Sequence, residues 1–161
     1  MAVAQMIQFC VASLSVAKLP GSKYVNGIIF GFGEIFGMVF SNFLMNNLLD
    51  MTAFRVAYSL GLVSYLIIIF LAETSSALTY VANVLTITSV ASWFNTMLLI
   101  LELRVPPQNV GSVSALVRTM AVGGSVVAPT IANLPAPWPH VCLMGLATFA
   151  MILTIFLPAP G

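Results

Sequence analysis

Apolar residues run along this chain in long blocks, and the polar residues that separate the blocks are few and close together. The first block covers about Ala2 to Leu19 and ends at Pro20, Gly21 and Ser22. A second runs from about Tyr24 to Leu49, with Asn42, Asn46, Asn47 and Asp50 marking its far end. A third spans about Ala53 to Leu71, before Glu73, Thr74, Ser75 and Ser76. The fourth, about Ala77 to Leu101, stops at Glu102, Arg104, Pro106 and Pro107. A fifth reaches from about Val110 to Leu134 with Pro129 inside it, and the sixth lies between Trp138 and Leu157, bracketed by prolines. Each block has about the 20 mostly apolar residues that a helix needs to cross a bilayer. No alternation of period two runs long enough for a membrane barrel, which leaves helices as the spanning element. The pattern predicts an all-α polytopic membrane bundle of about six transmembrane helices, in one domain covering residues 1–161.

Composition agrees with that reading. Of 161 residues, 60% are hydrophobic and 6% charged, with mean hydropathy +1.08, whereas a soluble domain has roughly a quarter of its residues charged. A net charge of +1 excludes a polybasic nucleic-acid or headgroup binder, which needs clustered lysine and arginine. Cys10 and Cys142 both fall inside apolar runs and read as helix residues rather than a disulfide or metal site. The opening MAVAQMIQFC has no basic n-region or cleavage site, so it reads as the edge of the first span. Orientation is not decided by lysine and arginine: Lys18 and Lys23 flank the first loop, and Arg55 and Arg104 flank the second and fourth loops on the other side. An even number of spans places both termini on one side. The membrane itself stays open between the plasma membrane and the mitochondrial inner membrane.

Two charges fall inside spans. Glu34, in YVNGIIFGFGEIFGMVF, sits about ten residues, or ~15 Å of rise, into its helix, close to mid-bilayer, where an ionised group is costly unless paired or wet. It reads either as a site for a substrate cation or proton, or as a neutral glutamate bonded to a neighbouring helix. Arg118 lies about eight residues, or ~12 Å, into the fifth span. It either faces a cavity that favours anions or forms an internal ion pair with Glu34. Gly27 with Gly31, and Gly33 with Gly37, are small-xxx-small steps that let helices approach closely. Tyr24, Trp138 and His140 fall near span ends, where aromatic rings sit at headgroups. His140 has no ligand at metal spacing, and no catalytic triad, carboxylate dyad or Gly-x-Ser-x-Gly is present. Neither an enzyme, a metal nor a cofactor is expected.

From the fourth loop onward the sequence resembles a known family. ELRVPPQNVG, then a Gly-rich helix with GGSVVAP, then an apolar helix closing on FLPAPG, is similar to the C-terminal half of a major facilitator superfamily transporter, most of all to the organic cation and organic anion transporters. Glu102, Leu103, Pro106, Asn109, Gly111, Gly123, Gly124, Pro129, Leu157, Pro158 and Gly161 occupy places comparable to that family's motifs. Tyr24 and Asn26 through Glu34 resemble its eighth helix. The resemblance covers nearly the whole chain in the order of helices seven to twelve, and implies half of a major facilitator fold. It implies Glu34 and Arg118 as substrate-binding charges, Gly123 and Gly124 as packing residues, and Asp50, Arg55, Glu102 and Arg104 as the remnant of a gate latch. In the latch reading Glu102 pairs with Arg55 or Arg104, Asn109 caps the fifth helix, and Arg118 is the one arginine facing the bundle interior. The sequence departs from the family where Asp50-Met-Thr-Ala-Phe-Arg55 replaces D-R-x-G-R, where Gln108 replaces an arginine, and where Ala159-Pro160 replaces Glu-Thr.

A transporter of this superfamily has two six-helix halves with the substrate between them, and this chain supplies one. One functional expectation is therefore solute transport of a small organic ion, with a second six-helix half or a homodimer as partner. The other is a non-transporting structural subunit that reuses the fold among other membrane subunits. Both place the chain in a lipid bilayer and neither involves nucleic acid.

Overall fold

A computed structural model describes residues 2–18, 22–71 and 74–156. Six helices follow one another: α1 Ala2–Ala17, α2 Lys23–Asn47, α3 Asp50–Leu71, α4 Ser76–Arg104, α5 Pro107–Ala132 and α6 Trp138–Ile155. No strand occurs among the described residues. Helices α2 to α6 are long and apolar enough to cross a membrane. This is an integral multi-pass membrane protein with an all-α bundle fold. Helix α1, with 16 residues, rises about 24 Å and falls short of the ~30 Å hydrocarbon core. Its last turn meets the end of α5, where Lys18 Nζ donates to the Ala132 carbonyl at 2.7 Å.

The helix ends differ from the apolar blocks for local reasons. Helix α4 continues past Leu101 through Glu102 to Arg104, because a charged last turn is favourable where a helix leaves the bilayer. Pro107 opens α5 as its first helical residue, a position where the missing amide costs nothing and the fixed φ is already helical. Asn109 therefore lies in the first turn, its amide donating to the Pro106 carbonyl at 2.8 Å, and it is not the cap the sequence suggested. Asp50 likewise belongs to the first turn of α3. Ser22 caps α2, its hydroxyl accepting from the Val25 amide at 3.3 Å. Leu19 and Leu157 lie outside the described residues, as do Pro158 and Gly161.

Helix α4 is the centre of the bundle: α2 packs on one side of it, α3 on another, and α1 touches it as well. Close approach is possible because the facing residues are small. A Cβ added at Gly37 would stand 2.5 Å from Ala91 Cβ and 2.9 Å from the Thr88 carbonyl. One added at Gly33 would stand 2.7 Å from Ile87 Cβ. On the other side, a Cβ on Gly61 would meet Ser89 Oγ at 2.6 Å. Hydroxyls then bridge the helices. Ser92 Oγ donates to the Thr88 carbonyl at 2.6 Å and reaches the Gly37 carbonyl at 3.0 Å; Ser89 Oγ donates to the Ala57 carbonyl at 2.6 Å; Ser64 and Thr86 share a 2.9 Å bond. Below these bonds Trp93 fills the core, its ring 4.7 Å from Tyr58 in an edge-to-face arrangement and 5.2 Å from Phe54.

On the far side, α5 packs along α1 through a stripe of buried small residues: Ala121, Gly124, Ala128 and Ala132. A Cβ on Gly124 would meet the Val3 carbonyl at 2.5 Å. Outward-facing side chains are large and apolar, among them Ile28, Phe32, Phe36, Phe43, Phe70 and Phe149, as lipid contact requires.

Gly37→Leu is therefore expected to force α2 off α4 and to cost about 1–3 kcal/mol, the usual penalty for overpacking. Gly145→Ala, with open space beside it, is expected to leave stability unchanged or raise it slightly, since alanine is the better helix former. Thermal unfolding in detergent micelles checks both. Equal melting temperatures for the two variants would contradict the packing described.

Candidate functional site

Glu34 and Met38 on α2 lie on the flank of that helix next to the buried Gly33 and Gly37 stripe. Across from them stand Val90, Ala91, Phe94 and Asn95 of α4, and Met6, Phe9 and Ala121 of α1 and α5 close the remaining sides. Together they enclose a cavity of 340 Å³, open to the surface on one side. Its walls are apolar and aromatic except at two points, the Glu34 carboxyl and the Asn95 amide. Glu34 is half-buried and makes no ion pair or hydrogen bond among the described residues. Phe9 is held in place by an edge-to-face contact with Phe30, 5.8 Å between ring centres.

Glu34 stands eleven residues into the 25-residue helix α2, about 16 Å of rise from its start, and so near mid-bilayer. A carboxylate at that depth needs a cation, a hydrogen-bond donor or water. An opening of this size, at the lower end of the volumes usual for ligand sites, supplies room for the first or last. Asn95 adds a donor and an acceptor to the same lining, and Phe9 and Phe94 bring aromatic rings to it, side chains of the kind that attract a cation.

Arg118 is also eleven residues into its helix, α5, but its side chain is exposed and does not line the cavity. The pair with Glu34 is not formed, and Arg118 does not face the bundle interior. The reason is geometric. The face of α5 that packs on α1 carries Ala121, Gly124, Ala128 and Ala132, and Arg118 falls about 60° round the helix from Ala121, on the flank rather than the contact.

Three of the four latch candidates are engaged in contacts between helices. Asp50 Oδ2 and Arg104 Nη2 are 3.6 Å apart, joining the first turn of α3 to the last turn of α4. Each charge also opposes the dipole of its own helix end in the favourable sense. Arg55 donates to Thr154 through Nε to the hydroxyl and through Nη2 to the carbonyl, both at 3.2 Å, so it satisfies an orphan carbonyl in the last turn of α6. Glu102 is exposed and has no ion pair among the described residues. Arg104, two residues on, points to another side of α4, since positions two apart on a helix do not face each other. The expected Glu102 pairing with Arg55 or Arg104 is thus replaced by the pairing of Asp50 with Arg104.

Of the packing glycines, Gly33, Gly37 and Gly124 lie at close helix contacts, whereas Gly27, Gly31 and Gly123 face open space. Cys10 and Cys142 are free and half-buried. No cluster of three metal-ligating side chains occurs among the described residues. Asn95, Phe9 and Phe94 escaped the sequence reading. The signal for Asn95 was an amide in the mostly apolar SWFNTMLLI; the two phenylalanines carried none, because one aromatic in an apolar helix looks like another. Neither a protein-family model nor a curated protein matches the chain.

Replacing Arg55 with methionine is expected to free the end of α6 at a cost of about 1–3 kcal/mol, the usual range for a hydrogen bond to a charged group. Hydrogen exchange at Leu153 to Ile155 should accelerate while that at Trp93 stays slow. Unchanged exchange at the end of α6 would show that Arg55 holds nothing there.

Proposed function

We propose that this chain is one half of a membrane carrier for small organic cations, with the cavity between α1, α2, α4 and α5 as its solute site. The observation that carries the reading is Glu34, a mid-membrane carboxyl with no partner among the described residues, at the wall of a largely apolar, aromatic cavity. Glu34 supplies the countercharge, Phe9 and Phe94 the ring faces, and Asn95 an orienting hydrogen bond. Arg118 of the same chain does not line this cavity, so within one copy its wall carries a carboxyl and no cationic side chain. The sequence resemblance to the C-terminal half of the organic cation and organic anion transporters supports a small organic ion as the solute, and the Glu34 carboxyl supplies the reason to choose a cation.

The reading is tested by titrating tetraethylammonium into the protein in lipid nanodiscs. The expected outcome is saturable binding that weakens about tenfold or more in Glu34→Gln, the loss that follows from removing a charged partner, with partial retention in Glu34→Asp. Equal affinity in wild type and Glu34→Gln would refute it. A second reading, a non-transporting structural subunit, is favoured by one observation: Asp50, Arg104 and Arg55 are all committed to contacts among α3, α4 and α6. Absence of tetraethylammonium binding together with stable co-purification of unrelated membrane subunits would support that reading.

A further inference from the structure

Helices α2 and α5 carry matching patterns of opposite charge on their uncovered flanks. In α2, Gly27, Gly31 and Glu34 follow at intervals of four and three; in α5, Gly111, Ala115 and Arg118 do the same. These positions fall on one face of each helix. The sets also begin at the same distance from their helix starts, four residues past Lys23 and four past Pro107. Gly27, Gly31 and Gly111 have nothing within 4 Å of where a Cβ would sit, and Ala115 is exposed. Steps of small residues at this spacing are what a helix presents to another backbone, yet none of the described helices covers these.

The position of the two flanks is set by the packing order. Helix α2 lies against α4, α4 touches α1, and α1 lies against α5, while α2 and α5 do not touch. They are the two ends of the side on which the cavity opens. Arg118 faces that side. It lies about 60° round α5 from Ala121, which lines the cavity, whereas Ile131, about 80° the other way, packs against the core that holds Leu143 and Ala147 of α6.

We propose that a second copy of this chain closes this side around a two-fold axis normal to the membrane, so that Glu34 of each copy faces Arg118 of the other. The charges select that axis. Rotation about the membrane normal exchanges the two ends of the face and lays α2 of one copy against α5 of the other, bringing opposite charges together twice. A two-fold axis in the membrane plane would lay α2 on α2 and α5 on α5, and would set like charges against each other at mid-bilayer, where that is most costly. Shape agrees with charge. In an antiparallel contact centred on the two charges, Met38 falls opposite Ala115 and Val122 opposite Gly31. Both larger side chains are exposed within one copy, at 49% and 58%. The inference names the partner that the solute reading leaves open and rests on that reading only for the open face; the dimer forms whether or not a solute binds. A cation that reaches Glu34 competes with the guanidinium of the second copy, so occupancy of the cavity loosens the pair.

The test uses the full chain with Cys10 and Cys142 replaced by alanine, and two differently tagged versions carrying Gly31→Cys and Val122→Cys. Both charges stay in place. When the versions are expressed together and the membranes oxidised, a mixed cross-linked dimer is expected, with no product joining two Gly31→Cys copies. A Gly31→Cys self-dimer would overturn the axis, and absence of any cross-link, or capture of the face by a different polypeptide, would overturn the second copy as occupant. A second measurement reads the charges. Glu34→Arg is expected to lower the dimer fraction in nanodiscs about tenfold, and adding Arg118→Glu in the same chain to restore it. A dimer indifferent to Glu34→Arg refutes the pairing. Because the dimer is read without solute, a negative tetraethylammonium titration leaves this result intact, and a monomer that binds tetraethylammonium refutes only the dimer.

Discussion

The bond from Ser92 to the carbonyl of Gly37 depends on α2 and α4 approaching so closely that only a hydrogen fits on Gly37, and the rest of the bundle is arranged around that approach. Lipid tails are as apolar as leucine, so burial of leucine drives no association between helices in a bilayer; dispersion and internally satisfied polar groups must do it instead. Helix α4 is built accordingly. Its faces toward α2 and α3 set Thr86, Ser89, Ala91 and Ser92 among the larger Ile87 and Trp93, and each of these hydroxyls finds a carbonyl or a second hydroxyl. With α2 and α3 docked in this way, Trp93 is buried against Phe54 and Tyr58, and α6 is held to α3 by Arg55 at its far end.

The same constraint explains the placement of charge. Lys18, Arg55 and Arg104 lie at helix ends, where they answer carbonyls or a carboxylate close to the headgroups. Each neutralises a feature of the fold, and none needs a solute or a partner. Glu34 and Arg118 are different because they sit at mid-helix on flanks that the chain itself leaves open. In the proposed carrier and dimer, their cost is met by water and a cation in the cavity at Glu34, or by the opposing charge of another copy.

Much of this was legible in the sequence, and what was not has a physical reason. Six helices, their order and their lipid setting follow from apolar blocks near 20 residues long, because the bilayer imposes length and hydropathy directly. Gly33 and Gly37 showed where helices approach. Gly27 and Gly31 carried the same spacing but not the same contact, since spacing fixes a face and not what lies opposite it. Pairings went astray for a related reason. The sequence brought Glu102 near Arg104, but a separation of two residues turns side chains apart on a helix, and Asp50 reaches Arg104 only because α3 begins where α4 ends. The expected pair of Glu34 and Arg118 depended on how α5 rotates on α1, which the small residues from Ala121 to Ala132 decide and which no property of Arg118 reveals. Phe9, Phe94 and Asn95 become a site only when four helices meet.

In the proposed dimer the flanks of α2 and α5 that carry charge are kept from lipid, although much of the remaining surface faces it. Spin labels at positions 31 and 122, which leave both charges in place, and at positions 36 and 70 test this in nanodiscs through their collision with oxygen, which concentrates among the lipid tails. Phe36 and Phe70 are exposed apolar positions on α2 and α3, at 54% and 73%, and labels there should collide freely. Oxygen accessibility several-fold lower at positions 31 and 122 than at 36 and 70 is the expected result, whereas matching values at all four positions would contradict the closed face.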